Sequence, residues 1–196
     1  MPVNCESLLN VDITKDCDNM PVSGLEINIL AFNTIDIDRV ATTFDAATDL
    51  LCTNFQLLSG KTGYLIEGAK VSTNASSELV TKSFGNYYKQ LIGFYLLNPT
   101  VENRKALEII CSGIKLTFIV EQKWKGQESK SAFLILGLDV GLEGSSSVWS
   151  STEEDGAEKV EISSADGQEE PRKIYNLSEG DYPTTKAAFD NKFQQA

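Results

Sequence analysis

The four cysteines are the strongest nucleophiles in this sequence, and their spacing does not suit nucleophilic, zinc or redox chemistry. Cys5, Cys17, Cys52 and Cys111 never form a pair two residues apart, which is the spacing of zinc and dithiol sites. Cys52 and Cys111 follow apolar residues, where a cysteine behaves as a small hydrophobe. We therefore predict reduced structural thiols. A Cys5–Cys17 disulfide is the alternative, and it has little support because the N-terminus shows no export signal.

Two glycine-containing motifs resemble nucleotide-binding loops in part. Gly60-Lys61-Thr62 matches the end of a phosphate-binding loop, but Phe55 stands where that loop requires glycine. A strand pattern follows from Tyr64, whereas a phosphate site needs a helix N-terminus there. Gly137–Gly144 is also rich in glycine, in an order that differs from the dinucleotide motif. Both motifs predict turns, and we expect no cofactor.

Clustered carboxylates are the remaining candidates for chemistry. Asp36 with Asp38, and the run 153–155, offer the oxygen ligands that Ca²⁺ prefers, but neither fits the helix–loop–helix calcium pattern. Glu169-Glu170 has no nucleophile to serve in acid–base catalysis. The sequence contains no histidine, so it lacks the commonest general base and metal ligand. We predict solvated acidic turns, no metal site, no catalytic residue and a protein that is not an enzyme.

Composition and charge limit the classes of protein to which this chain can belong. The chain has 196 residues and a net charge of −11, from 28 acidic and 17 basic side chains. This excess of acidic side chains argues against binding to nucleic acid, and no apolar run is long enough to span a membrane. Residues 143–181 hold 11 acidic and 3 basic side chains, a net of −8. We expect an N-terminal arm at 1–23 and a single domain at 24–196, which includes this acidic, loop-rich segment.

Most of the elements that would position these residues are strands. Alternating or continuous apolar patterns predict strands within these ranges: 25–32, 35–38, 51–58, 64–71, 78–84, 87–97, 114–121, 131–140, 159–162 and 173–175. Turn residues predict hairpins that join 51–58 to 64–71, 78–84 to 87–97, and 114–121 to 131–140. Residues 39–50 suit a short helix or a long loop, and we favour the loop.

Two helices complete the predicted fold. Thr100 suits an N-cap and Gly113 suits the left-handed residue after a helix, so a helix is expected at about 100–112. A second helix is expected at the C-terminus, after Thr184, with Pro183 in or near its first turn. Many short strands with two helices predict a mainly β protein, a β-sandwich or barrel with flanking helices.

The order of these elements and several local motifs resemble one known family. The relevant segments are the opening residues 5–17, the strand from Gly24 to Asp38, the Ser59–Gly63 turn, the helix Thr100–Ser112 followed by strands, and Gly137–Leu142 before an acidic loop. Together they resemble the tail tube (major tail) proteins of tailed bacteriophages, most closely those of phages that infect Bacteroides-type hosts.

The resemblance implies a virion protein that is made in the bacterial host cytoplasm and built into the phage tail. It implies a β-sandwich of the tail tube type, homohexameric rings that stack, contacts with other tail or neck proteins, and double-stranded DNA passing through the lumen without specific binding. The same fold serves in single rings of necks, collars and short tails, which is one alternative. A soluble β-barrel binding module is the other.

The resemblance also suggests where this chain would meet DNA and its neighbours. The polar faces of strands 77–83 and 114–121 are the predicted lumen surface, and its residues are Glu78, Lys82, Lys115, Thr117 and Glu121. Trp124 lies between two lysines at a predicted hairpin tip. Stacking on a nucleobase and a protein–protein contact both suit such a residue. We take it as a subunit-contact candidate.

Overall fold

Two β-sheets and two α-helices make up the ordered elements of the chain. The computed structural model describes residues 12–13, 17–68, 72–126, 129–152 and 156–194. The strands are β1 Leu25–Asn33, β2 Thr43–Phe44, β3 Leu51–Asn54, β4 Tyr64–Glu67, β5 Asn74–Lys82, β6 Gly85–Leu96, β7 Leu116–Gln122, β8 Phe133–Leu136, β9 Glu143–Trp149, β10 Glu158–Ser163 and β11 Tyr175–Leu177. The helices are α1 Val101–Ile110 and α2 Tyr182–Asp190, and a short 3-10 helix covers Thr34–Asp36.

The strands form a sandwich of two sheets. The larger sheet has seven strands in the order β2-β3-β11-β8-β7-β1-β4, and the smaller has the order β5-β6-β10-β9. Strand pairs are antiparallel except β3 with β11, which are parallel. Across the described residues, β2 and β4 end the larger sheet as separate edges, so it does not close. The prediction of a mainly β, sandwich-like fold with two helices is confirmed, and its barrel alternative is wrong.

The larger sheet is buried on both faces because different layers cover them. Ile29 and Phe118 pack against Ile92 and Val160 of the smaller sheet, in what we call the first core. On the opposite face, Phe133 packs against residues of α2 and its C-terminal turn, in what we call the second core. β7 lies in the middle of this arrangement, which explains its nearly continuous run of apolar residues.

Three phenylalanines show that the larger sheet is strongly curled. The rings of Phe32 and Phe55 lie 5.2 Å apart, and those of Phe55 and Phe193 lie 5.1 Å apart, all in edge-to-face contact. Phe32 is on β1 and Phe55 follows β3, although three strands separate β1 from β3 in the sheet. The sheet therefore bends around this cluster, and Phe193 after α2 packs into it.

Local capping explains both helices. The Thr100 side chain accepts a hydrogen bond from the Asn103 amide, as predicted for α1, and Gly113 follows with φ of +87°. The predicted C-terminal helix is also present. It begins at Tyr182, earlier than the expected start after Thr184, because the Asp181 carboxylate accepts the Thr184 amide at 2.8 Å.

One predicted hairpin is wrong. Strands β3 and β4 exist, but they lie on opposite sides of the larger sheet and do not pair with each other. β3 pairs with β2 and β11, whereas β4 pairs with β1. The glycine-bracketed turn at 59–63 is present, but β3 and β4 pair with other strands, of which β11 and β1 come from distant parts of the chain. The predicted hairpins β5–β6 and β7–β8 are confirmed.

Two further strand predictions differ from the structure. The alternating stretch 35–38 forms part of a 3-10 helix and a single bridge between Ile37 and Leu57, because Asp36 and Asp38 form local turn contacts. Conversely, β9 lies inside the segment expected to be mostly loop. Residues 39–50 are turns apart from the two-residue β2, in agreement with the loop prediction.

The described part of the predicted arm has no helix or strand before β1 begins at Leu25. The rest of the arm, residues 1–11 and 14–16, lies outside the described residues, as does the acidic run 153–155. Cys5, one partner of the alternative disulfide, is among them.

Candidate assembly surface

The smaller sheet presents one face away from the larger sheet, and we call it the outer face. Residues of β6 alternate, so that Ile92 and Phe94 point into the sandwich while Leu91 and Tyr95 point outward. The strand registers place the following side chains on the outer face: Asn74, Ser76, Glu78, Val80, Lys82, Tyr87, Lys89, Leu91, Tyr95, Ser146, Val148, Lys159, Glu161 and Ser163. Tyr87, Leu91 and Tyr95 are partly exposed and belong to neither core.

Both edges of the smaller sheet are long and open. In the described chain, β5 pairs only with β6 and β9 pairs only with β10. The two edge strands contain nine and seven residues. One side of each strand therefore carries backbone N–H and C=O groups that no neighbouring strand satisfies, which makes them templates for pairing with another chain.

Lysines on the outer face each have a carboxylate partner. Lys82 forms an ion pair with Glu169, and its ammonium group also lies 5.4 Å from the Tyr87 ring centre. The Lys89 Nζ lies 3.4 Å from an Asp166 oxygen, and the Lys159 Nζ lies 2.9 Å from Glu161. Such exposed pairs add little stability. They do neutralise the positive charges that would otherwise attract a polyanion.

The β5–β6 hairpin ends in an exposed aromatic side chain. Its turn is formed by Ser83 and Phe84, two residues before the predicted Gly85-Asn86 turn, because Lys82 pairs directly with Gly85. The Phe84 side chain is 99% exposed. This side chain is therefore accessible for a contact with another molecule.

The structure separates the five predicted lumen residues into two groups. Glu78 and Lys82 share the outer face, and for them the prediction stays a prediction, as it does for Lys115 at the start of β7. For Thr117 and Glu121 it is wrong, because these side chains point into the second core and are 0% and 5% exposed. A buried side chain cannot line a water-filled channel.

Glu121 instead fastens α2 to the larger sheet. Its carboxylate accepts hydrogen bonds from the Tyr182 hydroxyl at 2.6 Å and from the Lys125 ammonium at 2.5 Å. Lys186 of α2 lies 3.5 Å from the same carboxylate. The hydrogen bond to Glu121, together with burial, raises the pKa of Tyr182 to about 12.

The carboxylate of Glu170, for which the sequence indicated no catalytic role, is buried and holds the loop after β8. Glu170 is 0% exposed, and its two oxygens accept the backbone N–H groups of Asp139, Val140 and Gly141 at 2.9–3.0 Å. Burial raises the pKa of Glu170, although these three donors oppose the shift. The carboxylate satisfies backbone donors that would otherwise be unpaired, so its role is structural.

A second buried polar group links the sheets near the same loop. Gln90 of β6 is 1% exposed, accepts the Gly137 amide at 2.7 Å and donates to the carbonyl oxygens of Arg172 and Lys173. Thr117 donates to the Gly137 carbonyl at 2.7 Å. The glycine motif at 137–144 is therefore a loop held by side chains from both sheets, in agreement with the prediction that it is a turn.

The remaining candidates also have local partners. The Trp124 indole is partly buried and donates to the Asn19 side chain at 3.2 Å, so it contacts the N-terminal segment of its own chain. Its role as a subunit contact stays a prediction. The Lys115 ammonium lies 2.6 Å from Glu143 and 2.5 Å from the Gln168 side-chain oxygen.

The described cysteines have environments that differ in exposure. Cys52 is buried, and burial raises the pKa of its thiol to about 12. Cys111 is partly buried, and burial also raises its pKa. Cys17 is exposed. Among the residues described, no group of three histidine, cysteine or acidic side chains has metal-binding geometry.

An apolar groove of about 420 Å³ lies at the opposite end of β6 from Phe84. It is formed by β4, the end of β6 and one side of α1, and we call it the β4–α1 groove. Its walls include Leu65, Leu97, Ala106 and Ile110. Leu65 and Leu97 are 39% and 47% exposed.

No protein-family model, curated protein or solved structure matches this chain. Among the described helices, none is long and apolar enough to cross a membrane.

Proposed function

We propose that this chain is a structural subunit of a phage tail tube, in which rings of identical copies enclose a channel for DNA. The ring forms by edge-to-edge extension of the smaller sheet, and the outer face lines the channel. In this proposal the protein is a component of the virion, and its partners are its own copies and other tail or neck proteins. The resemblance of the sequence motivates the tail tube, and the smaller sheet carries the structural argument.

The observation that carries the proposal is the strand order of the smaller sheet. Its four strands alternate in direction, so β5 and β9 at the two edges run antiparallel to each other. In a cyclic ring all copies have the same orientation along the axis. The β9 strand of one copy would then meet the β5 strand of the next in antiparallel orientation. The contact continues the regular alternation of the sheet and satisfies both open edges.

The dimensions of such a ring suit a DNA conduit. Six four-stranded sheets joined edge to edge would have a circumference of about 150 Å, given ~4.8 Å between strands and a tilt of about 40°. The backbone diameter is then roughly 48 Å, and side chains that extend ~5 Å inward leave a channel of about 38 Å. A DNA duplex passes through a channel of this width without contact on all sides.

The chemistry of the outer face supports passage without binding. Serine, asparagine and tyrosine side chains occupy much of this face, and Lys82, Lys89 and Lys159 are neutralised by carboxylates. Affinity for DNA depends on clustered cations that can release counterions. A channel wall with paired lysines lets the polyanion slide, and the strongly negative segment 143–181 adds no attraction.

A single ring of a neck, collar or short tail is the second candidate. It would use the same sheet edges, and the exposed tip at Phe84 favours contact with a further ring or another tail protein in either case. The two assemblies differ in the number of copies per virion. A tail tube requires many stacked rings, whereas a collar requires one. Quantitative mass spectrometry of purified virions separates them.

The test of ring formation uses proline substitutions in the β9 edge. Neighbouring residues of an antiparallel strand direct their N–H groups to opposite sides, so Ser147→Pro and Val148→Pro remove donors from opposite sides of β9. One of them removes only the donor that faces the next copy. That variant should keep the wild-type melting temperature and lose ring formation in sedimentation velocity and negative-stain images.

The other proline variant is the matched control. It removes a β9–β10 hydrogen bond, so it should melt at a lower temperature. Rings that persist in the variant with the unchanged melting temperature would contradict the proposed edge contact. The equivalent pair on a different edge, Leu65→Pro and Ile66→Pro in β4, should leave ring formation intact if the chain still folds.

A further inference from the structure

We propose that a cleft between the two sheets binds a single-chain alkyl carboxylate. The cleft has a volume of about 450 Å³ and lies between β5 and the larger sheet near β8, and we call it the β5–β8 cleft. The ligand binds within one copy of the chain, so the site does not depend on the proposed ring. The walls of the cleft include Leu25, Ala75, Ser77, Leu134, Lys173 and Ile174.

Small side chains on β5 leave the space of the cleft open. Ala75 and Ser77 pair with Ile92 and Gln90 of β6, which are buried inside the sandwich, so all four lie on the inner face of the smaller sheet. Protein interiors otherwise contain few voids larger than a water molecule. The space beneath the alanine and serine instead has the volume of a small-molecule site, which is about 300–1,000 Å³.

The floor of the cleft is apolar. Leu25 of β1, Leu134 of β8 and Ile174 before β11 line it, and all three are only partly buried at the margin of the first core. Contact with an apolar chain would remove this surface from water, which is favourable. The Ser77 hydroxyl donates to the Lys173 carbonyl at 2.6 Å, so this polar group in the wall is already satisfied.

The charges beside the cleft favour an anion. Lys173 lines the cleft and is exposed. Lys123 lies next to Gly24, another lining residue, because its Nζ would be 3.4 Å from a Cβ at that position. Within the described chain, neither ammonium group has a carboxylate partner, in contrast to the lysines of the outer face. The described lining residues include no acidic side chain, although the whole chain contains 28.

The apolar floor and the unpaired lysines together define the class of ligand. An unbranched alkyl chain would cover the floor, and a carboxylate at its end would accept charge-assisted hydrogen bonds from the ammonium groups. A small inorganic anion would leave the floor exposed to water. A neutral hydrocarbon would leave both ammonium groups without an opposite charge. An amphipathic anion is complementary to both features of the cleft.

Isothermal titration calorimetry of the full-length protein with decanoate, at concentrations below micelle formation, should show saturable binding. Each methylene group that enters the cleft should strengthen binding about three- to fourfold, so the affinity should rise from hexanoate through octanoate to decanoate. Decylammonium has the same chain with the opposite charge, and it should bind at least about fivefold more weakly than decanoate. Absence of saturable decanoate binding, or equal affinity for decanoate and decylammonium, would overturn the inference.

A substitution that fills the cleft tests where the alkyl chain binds. Ala75→Leu places an apolar side chain in the cleft, and it should weaken decanoate binding at least about tenfold. Thr81→Leu introduces the same side chain on the same face of β5 but outside the cleft, and it should leave the affinity within about twofold. Equal affinity of the wild type and a folded Ala75→Leu variant would overturn the inference.

A second substitution tests the charge and does not alter the packing. Lys173→Gln keeps the backbone carbonyl that accepts from Ser77, so the melting temperature should stay unchanged while decanoate binding weakens about fivefold. Lys105→Gln makes the same change of net charge at an exposed position of α1, and it should leave the affinity unchanged. An equal effect of the two lysine substitutions would overturn the role of Lys173.

Methyl NMR spectra locate the bound ligand directly. Decanoate should shift the methyl signals of Leu25, Leu134 and Ile174, which line the β5–β8 cleft. Shifts confined to Leu65 and Ile110, which line the β4–α1 groove, would place the ligand in the other apolar groove and overturn the inference. These assays need no ring, so their failure is distinguishable from failure of the proline test above.

Discussion

The carboxylate of Glu121 and the hydroxyl of Tyr182 form a 2.6 Å hydrogen bond that joins strand β7 to helix α2. Glu121 is only 5% exposed. This hydroxyl and the ammonium groups of Lys125 and Lys186 compensate its buried charge. Removal of one partner of a buried charge is costly because the remaining group stays desolvated. Glu121 was predicted to face a channel, and it instead stabilises the contact between β7 and α2.

Tyr182→Phe should lower the free energy of unfolding by about 1.5–3 kcal/mol, because a hydrogen bond to a charged group is lost. Urea denaturation followed by circular dichroism measures the change. Tyr64→Phe, at an exposed tyrosine of β4, is the matched control and should have almost no effect. Equal stability of Tyr182→Phe and the wild type would show that the contact contributes nothing.

The same hydrogen bond predicts a pH dependence at alkaline pH. The pKa of Tyr182 is raised from 10.0 to about 12 in the folded chain, so the folded state holds its proton more tightly than the unfolded state. The stability from this group is fully present below pH 10 and is lost as the pH rises from 10 to 12. Unfolding measured across that range should show a decline that is smaller in Tyr182→Phe.

Glu170→Ala should destabilise the chain by about 3 kcal/mol or more, since three backbone donors of the 139–141 loop lose their acceptors. Glu170→Gln should cost less, because one amide oxygen can still accept from Val140 and Gly141. Thermal unfolding gives both values. A loss no greater than that of Asp166→Ala, at a side chain that is 99% exposed, would contradict the anchoring role.

Gly137→Ala should cost more than Gly60→Ala, although both glycines have a positive φ of about 70–76°. A Cβ at Gly137 would lie 2.7 Å from the Leu116 carbonyl oxygen, whereas nothing lies within 4 Å of one at Gly60. We expect a loss of about 1 kcal/mol at Gly60 from backbone strain alone and about 2–4 kcal/mol at Gly137. Equal losses at the two sites would contradict the close approach.

Unpairing the lysines of the outer face should create affinity for DNA. In assembled rings, Asp166→Asn combined with Glu169→Gln removes the carboxylate partners of Lys89 and Lys82, so binding of a DNA duplex should increase and weaken with added salt. Asp36→Asn frees Lys61, which lies outside the outer face, and serves as the control. Equal DNA binding by the double variant and the control would indicate that the outer face does not contact DNA.

The sequence was sufficient to predict those elements whose structure depends on residues close together along the chain. The Thr100 cap of α1 and the β7–β8 hairpin involve residues close in sequence, and both were predicted. The actual partners of β3 and β4 were not predicted. Asn176 and Leu177 align with Leu51 and Cys52 in a parallel pair, and no local pattern encodes a partner more than 100 residues away.

For some of the residues whose role was predicted wrongly or missed, the sequence contained a signal of their true environment, and for others it did not. Thr117 and Glu121 alternate with Leu116, Phe118 and Val120, which made their face of β7 look polar. Ile119 shares that face and is fully buried, so it was the available signal that the face is covered. Glu170 had no such signal, because its three donors come from a loop about 30 residues earlier. β9 was missed because its serine-rich sequence has no apolar alternation.

Cryo-electron microscopy of the assembled protein tests the central claim most directly. The proposed function predicts closed rings with a continuous β-barrel in which β9 of each copy pairs antiparallel with β5 of the next, and with Glu78 and Tyr95 facing the channel. A strictly monomeric protein at high concentration, or rings in which the outer face of the smaller sheet points away from the channel, would contradict it.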